Sequence, residues 1–143
     1  MMPHQVNNVG HVFGGEILSM VDRAAAVSAM RHSGRPSVTV SIDQVEFKEP
    51  IFSGELVTCL AKVTYVGRTS MEVDVQVTAE NLLTGVKRNT NSCYLTFVAI
   101  DEDHRPCPVP PLKPETPEEE RRYREGERRR EVRLQLSREL QKD

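Results

Sequence analysis

Tryptophan is absent from this sequence, and aromatic residues make up only 5% of its 143 residues. With 38% hydrophobic residues, the chain can bury one modest core but has little material for a second complete domain. A strong excess of one charge is also absent, since the formal net charge is −2. We therefore expect a single domain with an extension, and the composition argues against nucleic acid as a partner.

Long apolar runs are missing as well. None approaches the ~20 residues of a membrane span, and the first residues lack the order of a signal peptide. The three cysteines, Cys59, Cys93 and Cys107, cannot all pair within one chain and have no C-x-x-C spacing. A reducing compartment is the simpler interpretation, so we expect a soluble, cytoplasmic protein without a membrane segment.

The common catalytic and metal-binding motifs do not occur either. The sequence contains no G-x-S-x-G, no P-loop, no dinucleotide-binding G-x-G-x-x-G and no H-E-x-x-H, which excludes several large classes of enzyme. The four histidines have no ligand spacing, so we expect no metal site; they are His4, His11, His32 and His104.

The hydrophobic pattern predicts one long helix followed by four strands. Helix formers fill positions 14–32 and are apolar on nearly every side between Ile17 and Met30, which is typical of a buried helix. Strand-like patterns follow at residues 37–47, 54–66, 70–79 and 87–100. The phase of the first strand shifts between Ile42 and Val45, as a β-bulge would cause.

This order of elements predicts an α+β fold in which an antiparallel sheet wraps around the central buried helix. The third strand alternates strictly, with Glu72, Asp74 and Gln76 between apolar residues, so one side of the sheet is expected to be wet. Outer apolar positions would suit a partner subunit, among them Leu60, Tyr94 and Val98.

The chain beyond the strands divides into two parts. Residues 103–114 are rich in proline and predict an extended connector after a domain of residues 1–102. Residues 115–143 are mostly Glu, Arg and polar, with Thr116 as N-cap and Pro117 at the first position of a charged C-terminal helix. We interpret it as a solvated surface helix; the alternative is an assembly contact through Tyr123, Val132, Leu134 and Leu136.

The segment before the long helix is the best candidate for chemistry. Gly14 and Gly15 would let a ligand approach the helix start, where free backbone N–H groups carry partial positive charge. Such a site can hold a carbonyl oxygen that becomes negative during acyl transfer. The alternative is that the glycines only permit tight packing against a strand.

Asp22 is the one acidic residue between Ile17 and Met30. A carboxylate at this position is costly to bury unless it has a partner or a task. From the residues alone, a structural pair with Arg23 or with a group of a partner chain fits as well as catalysis.

Residues 7–22 form the string N-x-x-G-x-V-F-G-G-x-I-L-S-x-x-D, which resembles the signature of hotdog-fold acyl-CoA hydrolases. Val38-Thr39-Val40 with Phe47, the segment 66–71 and the Pro-rich tail before a charged helix are similar to that family as well. The resemblance implies the hotdog fold and hydrolysis of acyl-CoA to free CoA and a carboxylic acid. It implies no cofactor, since CoA arrives as part of the substrate.

The family's site residues match this sequence at several positions. Asp22 would act as general base for water, or as nucleophile, together with Asn7 from the other subunit of a dimer. The backbone N–H of Gly15 would polarise the thioester carbonyl. The segment 67–70 resembles a stretch near the bound CoA in that family; its residues are Gly67, Arg68, Thr69 and Ser70. His11 stands where the family often has Asn or Asp.

The resemblance further implies a homodimer as the active unit and a hexamer built from three dimers. Three alternatives stay open. A non-catalytic acyl-CoA binding module would use the same helix start without turnover. An acyl-CoA hydratase would pair a histidine with an aspartate on the helix, whereas His11 precedes the glycines. A purely structural assembly protein would bind no CoA.

Overall fold

The computed structural model describes residues 10–141. Helix α1 spans Gly14–Ser33, and four strands follow it: β1 Ser37–Phe47, β2 Leu56–Val66, β3 Ser70–Glu80 and β4 Lys87–Ala99. Helix α2, at Pro117–Gln141, comes last. The strands form one antiparallel sheet in the order β1-β4-β3-β2. The predicted α+β layout with a charged C-terminal helix is therefore confirmed.

Helix α1 packs one face against the sheet. Its buried residues recur every four positions and so form a stripe along the helix, at Ile17, Val21, Ala25 and Ala29. This stripe shares the core with apolar residues of β3 and β4. The helix ends at Gly34, whose φ of 69° lets its N–H donate to the carbonyl of Met30 at 2.8 Å.

The other face of α1 is open within a single chain. Val27 and Met30 are 45% and 41% exposed, so the expectation of burial on every side is wrong for one chain. The physical reason is that the one sheet formed by residues 10–141 covers a single face of the helix. Strand β1, at the edge of that sheet, also exposes apolar side chains, at Val38, Val40 and Ile42.

Strand β1 contains the irregularity that its sequence predicts. Its pairing with β4 shifts register between Asp43 and Glu46, and Gln44 between them has a φ of 53°. A second shift lies between Thr39 and Ser41. Bulges of this kind redirect side chains at a sheet edge, and this one lies in the strand that borders the open face of α1.

Helix α2 covers part of the outer face of the sheet, so the expectation of a wet face is wrong at Glu72 and Asp74, whereas Gln76 is exposed. Glu72 and Asp74 are only 5% and 8% exposed. Arg129 donates two hydrogen bonds to the Glu72 carboxylate, at 2.7 and 2.9 Å, and its guanidinium lies over the Tyr94 ring. These two carboxylates are thus buried under basic residues of a helix far along the chain, which compensate their charge.

Aromatic and glycine packing also holds α2 to the sheet. A Cβ at Gly126 would lie 2.7 Å from Cβ of Tyr65, so only a glycine permits this approach. The Tyr123 ring packs on Tyr65, with ring centroids 4.8 Å apart. Of the residues considered for assembly, Tyr123 therefore packs within its own chain, whereas Val132 and Leu136 stay exposed.

The proline-rich connector follows the sheet closely. Cys107 is part of the core, and the N–H of Val109 donates to the carbonyl of Arg68 at 3.0 Å. The division into a domain of residues 1–102 and a separate tail stays a prediction. Within residues 10–141, no helix is long and apolar enough to cross a membrane.

Candidate active site

Gly14 and Gly15, at the start of α1, lack side chains for different reasons. A Cβ at Gly14 would lie 3.2 Å from the Phe47 ring, so this glycine permits tight packing against β1. Among residues 10–141, a Cβ at Gly15 would meet nothing within 4 Å, and Gly15 is exposed. Packing therefore accounts for Gly14 alone, whereas Gly15 leaves the first turn of the helix open to a ligand.

The first turn of α1 offers an unpaired backbone N–H. Phe13 is the N-cap residue, and its side chain caps no N–H group. Its carbonyl accepts hydrogen bonds from the N–H groups of Glu16 and Ile17, at 3.1 and 3.4 Å. The N–H of Gly15 has no partner among the described residues, since no helical turn precedes it. A carbonyl oxygen that gains negative charge would be stabilised at this position.

A cleft of about 460 Å³ lies beside this turn. Both α1 and the sheet contribute to its wall, which includes His11, Gly14, Ile17, Phe47 and Asn91. The His11 ring meets the Phe52 ring edge-on, with centroids 5.1 Å apart. The cleft is large enough for part of a ligand, and it places that part next to the free N–H groups of the helix.

Asp22 lies partly buried in the middle of α1, where Thr39 of β1 binds it. Thr39 Oγ1 donates a hydrogen bond of 2.6 Å to Oδ1 of Asp22. Within residues 10–141, Oδ2 accepts no hydrogen bond and Arg23 forms no ion pair with this carboxylate. A structural pair with Arg23 is therefore wrong for this chain. The threonine fixes the carboxylate and leaves one oxygen for another group.

Thr39 is a candidate site residue that the sequence did not reveal. A threonine in a strand is ordinary, and 17 positions separate it from Asp22. Only the packing of edge strand β1 against α1 brings the two side chains together. The one signal in the sequence was the segment Val38-Thr39-Val40, which is part of the family resemblance but carries no role by itself.

A single chain does not bring all the predicted site residues together. Gly15 and Asp22 are separated by seven positions of one helix, which is roughly 10 Å along the axis. A thioester carbonyl bound at Gly15 is thus out of reach of Asp22 in the same chain. Asn7, the third predicted site residue, lies outside the described residues.

The turn between β2 and β3 carries the predicted CoA-binding residues 67–70. The N–H of Gly67 donates to the carbonyl of Ser70 at 2.9 Å. A Cβ at Gly67 would lie 2.9 Å from Ser70 Oγ and 3.5 Å from Nε of Arg130. A larger residue 67 would therefore crowd Ser70 within the turn, and Arg130 of α2 lies beside it.

This turn and the start of α1 lie at opposite ends of the sheet. Ser70 and Val38 both pair with Val98, which places the turn near the beginning of β1. Gly14 packs on Phe47 at the end of β1, roughly 30 Å away by the rise of a strand. One chain therefore does not combine the predicted CoA-binding residues with the helix start at a single place.

The cysteines offer no nucleophile to this site. Burial raises the pKa of Cys93 to about 11, with smaller contributions from Asp74 and Cys59, so this thiol stays protonated at neutral pH. Burial also raises the pKa of Cys59. In the part of the chain that the structure describes, no group of three or more His, Cys, Asp or Glu side chains could hold a metal ion.

Residues 9–86 match the family model of the thioesterase superfamily. Protein VdlD of Helicobacter pylori is 45% identical over 127 residues, which cover 89% of this chain and 71% of that protein. An uncharacterised acyl-CoA thioester hydrolase of Bacillus subtilis, YkhA, is 44% identical over 83% of this chain and 69% of its own length. The rat cytosolic acyl coenzyme A thioester hydrolase is 33% identical over 84% of this chain and 32% of its own length.

Solved structures are similar over nearly the whole chain. An acyl-CoA hydrolase from Bacillus cereus has a TM-score of 0.92 at 40% identity, covering 99% of this chain and 87% of that one. A hexameric acyl-CoA thioesterase has a TM-score of 0.91 at 42% identity, covering 96% and 88%. An acyl-CoA hydrolase from Staphylococcus aureus, in complex with butyryl-CoA and CoA, has a TM-score of 0.85 at 34% identity, covering 99% and 88%.

Proposed function

This chain belongs to the thioesterase superfamily, and from that membership we propose that it hydrolyses acyl-CoA to free CoA and a carboxylic acid. The hotdog fold and the family expected from the sequence are confirmed. Relatives named acyl-CoA thioester hydrolases support the substrate class, as does the Staphylococcus aureus enzyme with its bound butyryl-CoA. Water is the second reactant, so the proposal includes no separate cofactor.

The hydrogen bond between Thr39 and Asp22 is the observation that carries the proposal. It holds Oδ1 in place and leaves Oδ2 to accept a proton from the attacking water. We assign Asp22 as the general base and Thr39 as the residue that positions it. Direct attack by Asp22 on the thioester carbon is the second mechanism, and trapping of an acyl-enzyme would distinguish it.

Residue spacing supports Asn7, Asp22 and Thr39 as one set. The Staphylococcus aureus acyl-CoA hydrolase has been solved with single alanine substitutions of an asparagine, an aspartate and a threonine, separated by 15 and then 17 positions. Asn7, Asp22 and Thr39 are separated by the same intervals in this chain. We assign Asn7 to orient the water or the thioester.

The distance between Gly15 and Asp22 supports a site shared between two subunits. The two groups lie roughly 10 Å apart along one helix, too far to act on the same carbonyl. A second copy on the open face of α1 would supply the missing half, with Asn7 and Gly15 from one subunit and Asp22 from the other. It would also bury the exposed side chains of Val27 and Met30.

The proposed assembly is therefore a homodimer with two equivalent sites, and three such dimers would form a hexamer. Two solved neighbours are hexameric acyl-CoA thioesterases, which supports the larger assembly. We place the protein in the cytoplasm. The mammalian relatives named cytosolic support this location, as do the three cysteines, all of which are free.

We assign the turn of residues 67–70 to the CoA part of the substrate, with Arg130 of α2 beside it. CoA carries phosphate groups, which arginine side chains bind strongly. Among the described residues, Arg68 and Arg130 have no carboxylate partner, whereas Arg129 is paired with Glu72. Arg68 and Arg130 therefore provide positive charge at the turn where the family resemblance predicts CoA binding.

A thiol-release assay over acyl-CoAs of graded length tests the proposal. We expect the wild type to release thiol, and we expect Asp22→Asn to lose most turnover while it keeps its melting temperature and its affinity for CoA. Asp43→Asn is the matched control, because Asp43 pairs with Arg133 on the outer side of β1. Binding of acyl-CoA without thiol release by the wild type would instead identify a non-catalytic binding module.

The hydratase alternative finds little support in the geometry. It requires a histidine and an aspartate that act together, but His11 packs on Phe52 before the start of α1 and Asp22 lies two turns into the helix. The direct test of that activity is to incubate the protein with an unsaturated acyl-CoA. Hydration would be measured as a loss of absorbance by the conjugated thioester.

A further inference from the structure

Asn91 carries an unsatisfied hydrogen-bond donor in the interior of the protein. The residue is only 4% exposed. Its Nδ2 is the one buried side-chain nitrogen or oxygen within residues 10–141 that has no hydrogen-bond partner. A buried donor without an acceptor is destabilising, and native proteins contain few of them. A group kept at such a cost calls for an acceptor that the described chain does not supply.

The position of Asn91 places this donor at the candidate site. Strand β4 alternates so that Asn91 shares the α1-facing side of the sheet with Cys93, Leu95 and Phe97. Asn91 pairs with Phe47 at the end of β1, and it lines the cleft beside Gly14. The free amide therefore belongs to the same cleft as the start of α1.

The neighbouring threonine holds the amide in one orientation. Thr90, which is fully buried, donates from Oγ1 to Oδ1 of Asn91 at 2.9 Å. The amide oxygen is thus satisfied, and the NH₂ group on the other side of the carboxamide is the part left free. Because Nδ2 itself is buried, the wall of the cleft has to shift for an acceptor to reach this donor.

We propose that Asn91 is a substrate-binding residue whose Nδ2 donates a hydrogen bond to a carbonyl oxygen of acyl-CoA in this cleft. The inference rests on the proposed function and adds a residue to the same site. Acyl-CoA offers such oxygens at its thioester and at the two amides of its pantetheine arm, whereas a plain hydrocarbon chain offers none. A carbonyl between Asn91 and the N–H groups of α1 would meet donors from two sides.

Two substitutions separate substrate binding from a purely structural role. Asn91→Leu removes the donor at a similar side-chain volume. Asn91→Ala removes it with a smaller side chain, in case leucine does not fit this position. Thr90 keeps an acceptor in both variants, because its hydroxyl also reaches the carbonyl of Val77 at 3.3 Å. Asn89→Ala, an exposed position two residues earlier on the same strand, is the matched control.

We expect kcat/KM for acyl-CoA to fall about tenfold in both Asn91 variants and to stay at the wild-type value in Asn89→Ala. Asn91→Leu should melt at or above the wild-type temperature, since it removes an unsatisfied polar group. A parallel rise in Kd for CoA would identify a pantetheine carbonyl as the acceptor. A fall in kcat/KM with unchanged Kd for CoA would identify the thioester carbonyl.

Wild-type kcat/KM in both Asn91 variants would overturn the inference. If their melting temperatures also fell, the acceptor would be an oxygen of the protein itself. Failure of the proposed function gives a different result, in which the wild type itself releases no thiol. The Kd of acyl-CoA for the wild type and for Asn91→Leu would then still test the hydrogen bond.

Discussion

Thr39 on edge strand β1 donates a hydrogen bond of 2.6 Å to the carboxylate of Asp22 in α1. This is a short O–H···O hydrogen bond. Strand β1 is the edge of the sheet and pairs with β4 on one side. The hydrogen bond therefore lies where the sheet stops covering α1 and the open face of the helix begins. The carboxylate proposed as general base is thereby held at the surface where a second subunit is proposed to bring Asn7 and Gly15.

Thr39→Val should lower kcat about tenfold or more with little change in KM, because it frees the Asp22 carboxylate to rotate without removing a substrate contact. Thr39→Ser keeps the hydroxyl and should restore most of the rate. Steady-state kinetics and a melting curve check both variants. Thr58→Val, at an exposed position of β2, is the control. A wild-type kcat in Thr39→Val would contradict the proposal that Thr39 positions Asp22.

Mixing two inactive variants tests the shared site. Asn7→Ala and Asp22→Asn each remove one half of the proposed pair. In a mixed dimer, one site combines the intact Asp22 of one subunit with the intact Asn7 of the other. Coexpression of the two variants should therefore recover about a quarter of the wild-type activity, since about half of randomly paired dimers are mixed and each has one intact site. A site contained within one subunit predicts no recovery.

Arg130→Ala should weaken CoA binding about tenfold at low salt, and the difference from the wild type should shrink as salt screens the phosphate contact. Titration calorimetry at two salt concentrations measures this effect. Arg128→Ala is the matched control, because Arg128 is exposed and pairs with Glu131. An unchanged Kd in Arg130→Ala would exclude this residue of α2 from the CoA site.

The ion pair of Glu55 and Arg88 predicts a pH dependence of stability. Burial raises the pKa of Glu55, but hydrogen bonds from Arg88, at 2.6 and 2.8 Å, and from the N–H of Phe52 outweigh burial and hold the pKa below 4.5. A lowered folded-state pKa stabilises the protein above the unfolded value and loses this effect as pH falls through the folded value.

Glu55→Gln should therefore melt at a lower temperature than the wild type at neutral pH, and the difference should shrink as the pH falls below about 4.5. Thermal melts across that range measure it. Glu46→Gln is the control, since Glu46 belongs to an exposed pair with Lys48 and should change stability little. A difference that is constant with pH would contradict the role of the Glu55 charge.

Gly126→Ala changes the stability of the protein through two opposite effects, on helix propensity and on packing. Alanine in place of glycine favours a helix by about 1 kcal/mol. The added Cβ, however, would lie 2.7 Å from Cβ of Tyr65 and 2.9 Å from Oε1 of Glu72. Because overpacking costs about 1–3 kcal/mol, we expect a net loss of stability in urea unfolding. Glu127→Ala, at the exposed neighbouring position, is the control. A more stable Gly126→Ala would mean that α2 does not pack as closely as described.

Much of the fold could be predicted because local patterns record it. The helix formers between Gly14 and Gly34 and the alternation of β3 depend on residues a few positions apart, and both elements lie where they were expected. The irregularity of β1 could be predicted for the same reason, since a bulge changes the phase of alternation within one strand. The prominence of Asp22 was likewise a local contrast, one carboxylate among apolar residues.

Contacts between distant positions could not be predicted in this way. Glu72 looked solvated because its strand alternates, yet Arg129 covers it from 57 positions further along the chain. A helix rich in Glu and Arg has no apolar stripe that would indicate burial, so its packing through Gly126 left no pattern to detect. The open face of α1 could not be predicted either, because its apolar residues indicate burial. Within one chain these residues face away from the sheet and stay exposed.

The residues of the candidate site also fall into those that the sequence indicates and those that only the tertiary structure indicates. Asp22 and Gly15 stand out by residue type and order along the chain, whereas the turn of residues 67–70 is marked by the family resemblance alone. Thr39 and Asn91 are ordinary residues of strands, and their proposed roles come from what lies beside them: a carboxylate for one and the cleft next to α1 for the other. Such relationships depend on how the sheet packs against the helix, which no local pattern of residues encodes.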